Sequence, residues 1–92
     1  MTIIESRVES EIDTLTSQLQ QLIRVPSVSA KKQLTITKCA ELVSEIMSKA
    51  GIKSELIKLD YNSEEIAPVV FGEVKSKNNP DGKTILFYNH YD

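Results

Sequence analysis

The stretch that most constrains the fold is the apolar run at residues 83–88, which leads directly to the sole histidine of the chain, His90. Within it, Ile85-Leu86-Phe87-Tyr88 places apolar side chains on both alternating faces of an extended backbone. Strands of this kind lie in the middle of a sheet that is covered on both sides. The run therefore predicts a buried central strand. Open α/β sheets present their functional side chains at the carboxyl ends of such strands.

The first predicted element is an amphipathic helix over residues 3–23. Its apolar residues recur at intervals of four or three and fall within an arc of about 80°. They are Ile4, Val8, Ile12, Leu15, Leu19 and Leu22. Thr2 and Glu5 have the spacing of a capping box, and Pro26 ends the helix because it forces Val25 out of the α region. The same spacing is also typical of a coiled-coil seam, and that alternative stays open.

A second helix is predicted over residues 36–50, with Gly51 as the residue that terminates it. Its apolar positions cover an arc of about 160°, so we expect it to be more buried than the first helix. Cys39 lies on this apolar face, which predicts a buried core thiol. A nucleophilic pair of Cys39 with His90 is disfavoured, because no neighbouring group would lower the pKa of the thiol.

The hydrophobic period changes after Gly51, and three segments are predicted as strands. They are residues 54–59, 69–74 and 83–88. The charges of the first segment favour a position near the edge of a sheet. Residues 60–65 are predicted to form a polar loop. Gly72, inside the second strand, indicates either a bulge or a close approach of another element.

The turn signal Asn78-Asn79-Pro80-Asp81-Gly82 separates the last two apolar runs and predicts an antiparallel hairpin of residues 68–75 with residues 83–88. The expected order is α-α-β-β-β, so the fold class is α/β with a mixed sheet. Two helices can cover only one face of that sheet, whereas its central strand requires cover on both faces. We therefore expect the 92 residues to be an incomplete domain.

Composition excludes several classes of function. With 40% hydrophobic and 26% charged residues, the chain has the composition of a soluble globular protein. A net charge of -2 and scattered lysines argue against a nucleic-acid partner. No apolar run approaches the roughly 20 residues that a membrane-spanning helix needs. One cysteine and the lack of a signal-peptide pattern predict a reducing, cytoplasmic setting.

His90 and Asp92 are the candidate functional residues, because they follow the predicted central strand. Imidazole is a common zinc ligand, and a metal-bound histidine usually gives its second N–H to a carboxylate. The short His-x-Asp pattern also fits an exposed histidine beside a solvated aspartate, so local features alone leave both interpretations open. One histidine cannot form a catalytic zinc site, which needs about three protein ligands.

Three segments, taken together, resemble the start of a known enzyme family. They are residues 22–29 (Leu-Ile-Arg-Val-Pro-Ser-Val-Ser), the helix from residue 39 to residue 52, and residues 85–92 (Ile-Leu-Phe-Tyr-Asn-His-Tyr-Asp). They are similar to the aminoacylase/carboxypeptidase metallopeptidase family, which includes carnosine-type dipeptidases, acetylornithine and succinyl-diaminopimelate deacylases, and glutamate carboxypeptidases. The Val-Pro-Ser-Val-Ser loop and the His-Tyr-Asp ending look most like the dipeptidase branch. The resemblance covers the whole chain but only the opening fraction of a family member.

The resemblance implies that His90 is a metal ligand and that Asp92 supports it. It further implies that residues 1–92 are the N-terminal part of a single catalytic α/β domain. The full-length protein would be a dinuclear zinc hydrolase, although other divalent metals are possible. It would cleave the amide bond of dipeptides or N-acyl amino acids with a zinc-activated water, and a homodimer is a possible assembly. The remaining ligands and the general base would lie beyond residue 92, so the fragment alone should be inactive.

One residue departs from the family pattern, because Asn89 stands where glycine usually precedes the histidine. Asparagine tolerates unusual backbone angles better than most residues, which keeps the turn feasible. Of the flanking tyrosines, Tyr88 is expected in the core, and Tyr91 is a candidate for lining a substrate cleft. The alternative to an enzyme is a self-contained α/β interaction module that dimerises through its sheet face or its first helix.

Overall fold

In the part of the chain that the structure describes, two helices are followed by four strands, so the fold class is α/β, as predicted. The computed structural model describes residues 2–27, 35–58, 60–61, 64–65 and 67–92. The end of the Val-Pro-Ser-Val-Ser loop, residues 28 and 29, lies outside the described residues. Among the described residues, neither helix combines the length and the apolarity that crossing a bilayer requires.

Helix α1 spans Ile3–Arg24 and begins with the predicted capping box. The Thr2 hydroxyl accepts the backbone N–H of Glu5 at 3.1 Å, and the Glu5 carboxylate accepts the backbone N–H of Thr2 at 3.0 Å. These contacts satisfy two backbone donors that the first turn cannot pair internally. The helix ends where Val25 adopts an extended conformation before Pro26, which confirms the predicted stop.

Helix α2 spans Thr35–Lys49 and ends in a Schellman motif. Gly51 has a φ of +87°, its N–H donates to the Ser48 carbonyl at 3.0 Å, and the N–H of Ile52 donates to the Met47 carbonyl at 2.9 Å. A left-handed backbone of this kind carries no steric penalty at glycine. The predicted terminator is confirmed, and the motif turns the chain directly into the first strand.

The two helices differ in burial in the predicted direction. Among the described residues, α2 contributes the buried hydrophobic side chains Cys39 and Ala40, whereas α1 has no buried residue. The apolar stripe of α1 is exposed, with Leu19 at 58% of its possible surface. Helix α2 packs on the sheet and α1 contacts α2, so α2 is the central layer.

The main sheet pairs strand β1 (Lys53–Ile57) with strand β4 (Val69–Glu73) in antiparallel register, with Ser54 opposite Gly72. Helix α2 is joined to it through Ser54, whose hydroxyl donates to the Ser44 carbonyl oxygen at 3.1 Å. The register runs unbroken through Gly72, so this glycine marks a close approach of another element and not a bulge.

The predicted polar loop at residues 60–65 is partly wrong. Strand β2 (Asp60–Tyr61) pairs antiparallel with strand β3 (Glu64–Glu65). Strands β2 and β3 both lie between β1 and β4 in the chain, and the antiparallel pairing of β1 with β4 favours their antiparallel approach. Backbone geometry set by the longer strands thus overrides the low strand propensity of the charged side chains.

The predicted third strand and its hairpin are wrong. Strand β4 pairs with β1, and residues 83–88 belong to no strand. The four residues from Ile85 to Tyr88 are 75–84% exposed and not buried in a core. The turn itself is present, because the Gly82 N–H donates to the Asn79 carbonyl at 3.0 Å. A strand that is apolar on both faces is stable only when other elements pack on both faces. The described residues provide no second layer that could cover residues 83–88.

Candidate metal centre

His90 and Asp92 are in direct contact. The Nδ1 atom of His90 lies 3.1 Å from Oδ1 of Asp92, a hydrogen-bond distance. The His90 side chain is 76% exposed, whereas the Asp92 side chain is 30% exposed. Because Nδ1 faces the carboxylate, Nε2 is the nitrogen left for a ligand. This is the arrangement in which a carboxylate orients a metal-binding imidazole.

The imidazole of His90 also contacts Tyr88. The two rings meet edge to face, with centroids 6.0 Å apart and planes at 74°. Such T-shaped contacts are favoured by the charge distribution of aromatic rings. Tyr88 therefore borders the site from the exposed side, instead of lying in the core where the sequence placed it.

Tyr91, between the two site residues, attaches this segment to the rest of the fold. Its hydroxyl donates to the carbonyl oxygen of Pro68 at 2.5 Å. Its own carbonyl oxygen accepts the thiol hydrogen of Cys39, with a sulfur-to-oxygen distance of 3.4 Å. Pro68 is buried just before β4, and Cys39 is buried in α2, so Tyr91 is held at two points of the core.

The surroundings of Tyr91 also change its acidity. Burial raises the pKa of the Tyr91 hydroxyl, and the neighbouring groups of Cys39 and Asp92 raise it further. Burial removes the water that would solvate a phenolate, and the negative charge of Asp92 repels it, so both oppose its formation. The protonated hydroxyl, which is the form that donates to Pro68, is thereby favoured.

Cys39 is a buried core thiol, as the sequence predicted. It is fully shielded from solvent, and its hydrogen-bond partner is the backbone of Tyr91 and not the imidazole of His90. This geometry gives no support to a nucleophilic pair of Cys39 with His90.

A complete metal site is not assembled within the described part of the chain. No three side chains of the types His, Cys, Asp or Glu come together there in a group that could hold a metal ion. The donor set at His90 fits a single ligand with its supporting carboxylate. A catalytic zinc needs about three protein ligands and an open position.

Comparison with known proteins shows a likeness to a metallodipeptidase. The chain is 29% identical over 92 residues to the Cys-Gly metallodipeptidase dug1 of Schizosaccharomyces pombe. The alignment takes in 92% of this chain but only 19% of the relative, so the chain spans about a fifth of that protein's length. No protein-family model matches the chain, and no solved structure matches it. The likeness supports a relationship to a peptidase family.

Sequence reasoning missed the attachment of Tyr91 to the core. It treated Tyr91 as a candidate cleft residue, a role that stays untested. The hydroxyl finds its acceptor 23 positions earlier in the chain, and the carbonyl finds its donor 52 positions earlier. The only sequence signal was the position of Tyr91 between the two candidate site residues, which says nothing about such distant partners.

Proposed function

We propose that residues 1–92 are the N-terminal part of a single catalytic α/β domain of a metal-dependent hydrolase. Its substrates would be dipeptides or N-acyl amino acids, in which it would cleave the amide bond. The observation that carries the proposal is the similarity to a Cys-Gly metallodipeptidase over 92% of the chain. The α/β fold and the contact between His90 and Asp92 give further support.

His90 would hold the metal through Nε2, and Asp92 would keep the imidazole in place by accepting the Nδ1 hydrogen. A bound zinc ion would supply an acidified water and polarise the scissile carbonyl. The His90 side chain, at 76% exposure, is accessible to such an ion from the solvent side. Two zinc ions are proposed for the whole active site, with the other ligands and the general base supplied by chain beyond residue 92. The 92 residues alone would then be inactive.

The remaining expectations are part of the same proposal. The full-length protein would act in the cytoplasm on a small peptide or N-acyl amino acid, and it would form a homodimer. The reducing setting is supported by Cys39, which is unpaired and buried in the fold.

The test is an assay of the natural gene product that carries these residues. We expect bound metal and hydrolysis of Cys-Gly or an N-acetyl amino acid, with activity lost on chelation and restored by zinc. His90→Ala should abolish the activity. A matched control is Lys77→Ala, which removes an exposed cationic side chain after β4. A gene product without metal and without chelator-sensitive hydrolysis would refute the proposal.

The second candidate is the dimerising interaction module, which is favoured by the exposed apolar stripe of α1. It predicts that the 92 residues form a stable, concentration-dependent dimer, which the substitution Leu15→Asp would dissociate. Sedimentation equilibrium distinguishes the candidates, because the hydrolase proposal does not require the isolated chain to associate.

A further inference from the structure

The segment that carries His90 has little backbone support of its own. Between Lys83 and His90, no backbone hydrogen bond connects the segment to another described residue. The four large side chains from Ile85 to Tyr88 are exposed, so they contribute little packing that could fix its position. A metal ligand on such a segment needs some other contact to hold it in one orientation, since binding otherwise includes the entropy cost of ordering it.

Tyr91 makes the contacts that can meet this need. Its hydroxyl donates to Pro68, which is buried just before β4, and its carbonyl oxygen accepts from Cys39, which is buried in α2. The residue is therefore fixed at both its side chain and its backbone. His90 and Asp92 are attached to it by one peptide bond each, and peptide bonds are planar and stiff. Restraining Tyr91 therefore limits the positions of the α-carbons of His90 and Asp92.

We propose that Tyr91 is a positioning residue, which holds His90 and Asp92 in register so that Nδ1 of the imidazole faces the carboxylate. Its role toward a metal rests on the proposed hydrolase function, whereas its role in orienting the imidazole does not. With Tyr91 in place, the neutral imidazole carries its hydrogen on Nδ1, and the lone pair of Nε2 faces outward. Without the hydroxyl contact, the segment turns more freely and the hydrogen is shared between the two nitrogens.

The tautomer of the His90 imidazole is a direct measure of whether Tyr91 positions it. The chain has a single histidine, so ¹⁵N-labelling of histidine gives one pair of ring signals without any assignment step. The spectrum is recorded on the metal-free chain in mildly alkaline solution, so that the neutral tautomers are observed. We expect the Nδ1–H tautomer to predominate in the wild-type chain. Predominance of the Nε2–H tautomer would overturn the proposal.

The decisive variant is Tyr91→Phe, and the matched control is Tyr88→Phe. Tyr88 contacts the His90 ring but makes no hydrogen bond through its hydroxyl within the described residues. We expect Tyr91→Phe to lower the ratio of Nδ1–H to Nε2–H by roughly two- to tenfold, the range for loss of one net hydrogen bond. Tyr88→Phe should leave the ratio unchanged. An unchanged ratio in Tyr91→Phe would overturn the proposal.

A second variant covers the case in which Tyr91→Phe loses the helical circular dichroism of the wild-type chain. Cys39→Ala removes the other contact of Tyr91 and keeps a small apolar side chain in the core. A reduced ratio in Cys39→Ala supports the proposal, and a wild-type ratio overturns it. Because no metal or substrate is present, these results are independent of the hydrolase assay. A gene product without hydrolase activity would refute the proposed function, but it would not refute the positioning role of Tyr91.

Discussion

Gly72 of strand β4 lies so close to Met47 of helix α2 that a β-carbon at position 72 would overlap the Met47 Cε atom. The same β-carbon would come within 2.8 Å of Cγ2 of Ile52. Because Gly72 has no side chain, helix α2 can pack closely on strand β4 at this position.

Gly72→Ala should destabilise the chain. Introducing atoms into an occupied space costs about 1–3 kcal/mol, and urea unfolding followed by circular dichroism measures the loss. Where a β-carbon has room, glycine-to-alanine changes instead stabilise a protein by about 0.4–1 kcal/mol. A more stable Gly72→Ala variant would contradict the close packing of α2 on β4.

The capping box of α1 gives a second prediction. Thr2→Ala removes the hydroxyl that accepts the Glu5 N–H, so it should lower the free energy of unfolding by about 1 kcal/mol. The control is Thr14→Ala, an exposed position in the middle of the same helix, where alanine has the higher helix propensity. Thermal unfolding should place Thr2→Ala below the wild type and Thr14→Ala at or slightly above it.

Tyr91 should make the free energy of unfolding decrease in the alkaline pH range. Burial raises the pKa of its hydroxyl in the folded chain above the unfolded value of about 10. The contribution to stability is therefore complete below that unfolded value and is lost as the pH rises through the folded value. The measurement is the free energy of unfolding from neutral to strongly alkaline pH. The wild-type chain should lose its advantage over Tyr91→Phe across this range. Parallel profiles for wild type and Tyr91→Phe would contradict the assignment.

In the proposed hydrolase, Asp92→Asn should weaken metal binding without abolishing it. An amide cannot replace the charge of the carboxylate that faces Nδ1 of His90, and loss of such a supporting group typically costs 10–100-fold in affinity. Competition with a chromogenic chelator on the natural gene product measures this change. The matched control is Asp81→Asn in the exposed turn before the segment. Equal affinities for the two variants would argue against a supporting role for Asp92.

The features that the sequence predicted correctly depend on neighbours along the chain. The capping box needs only Thr2 and Glu5, and the end of α2 needs only a glycine that tolerates a positive φ, which Gly51 provides. The greater burial of α2 follows from the width of its apolar face. These properties are set by a few residues at short separation, so a local pattern contains the required information.

The failures concern partners that are distant in sequence. Strand β4 was expected to pair with the run that follows it, because a strong turn signal at residues 78–82 connects them. It pairs instead with β1, in a register that places Ser54 opposite Gly72 under helix α2. A turn brings two segments near each other, but the packing of a third element decides which pair forms a ladder.

In the candidate site, too, the local contact was predictable from the sequence and the distant contacts were not. The contact of His90 with Asp92 was foreseen as possible, since two residues in one short segment can meet without help from the fold. The contacts of Tyr91 with Pro68 and Cys39 join three separate parts of the chain, and no pattern within ten residues encodes them.

The exposed run from Ile85 to Tyr88 has a consequence for handling the isolated chain. Six residues from Thr84 to Asn89 carry no charge, no proline and no glycine, and four of them are large and apolar. Short uncharged segments of this composition with free backbone groups are templates for intermolecular β-stacking and amyloid growth. Lys83 precedes the segment directly, and a flanking charge at such a position is expected to oppose this growth. Concentrated preparations of this chain should therefore be limited by fibril formation that starts at this run, well before its helices unfold.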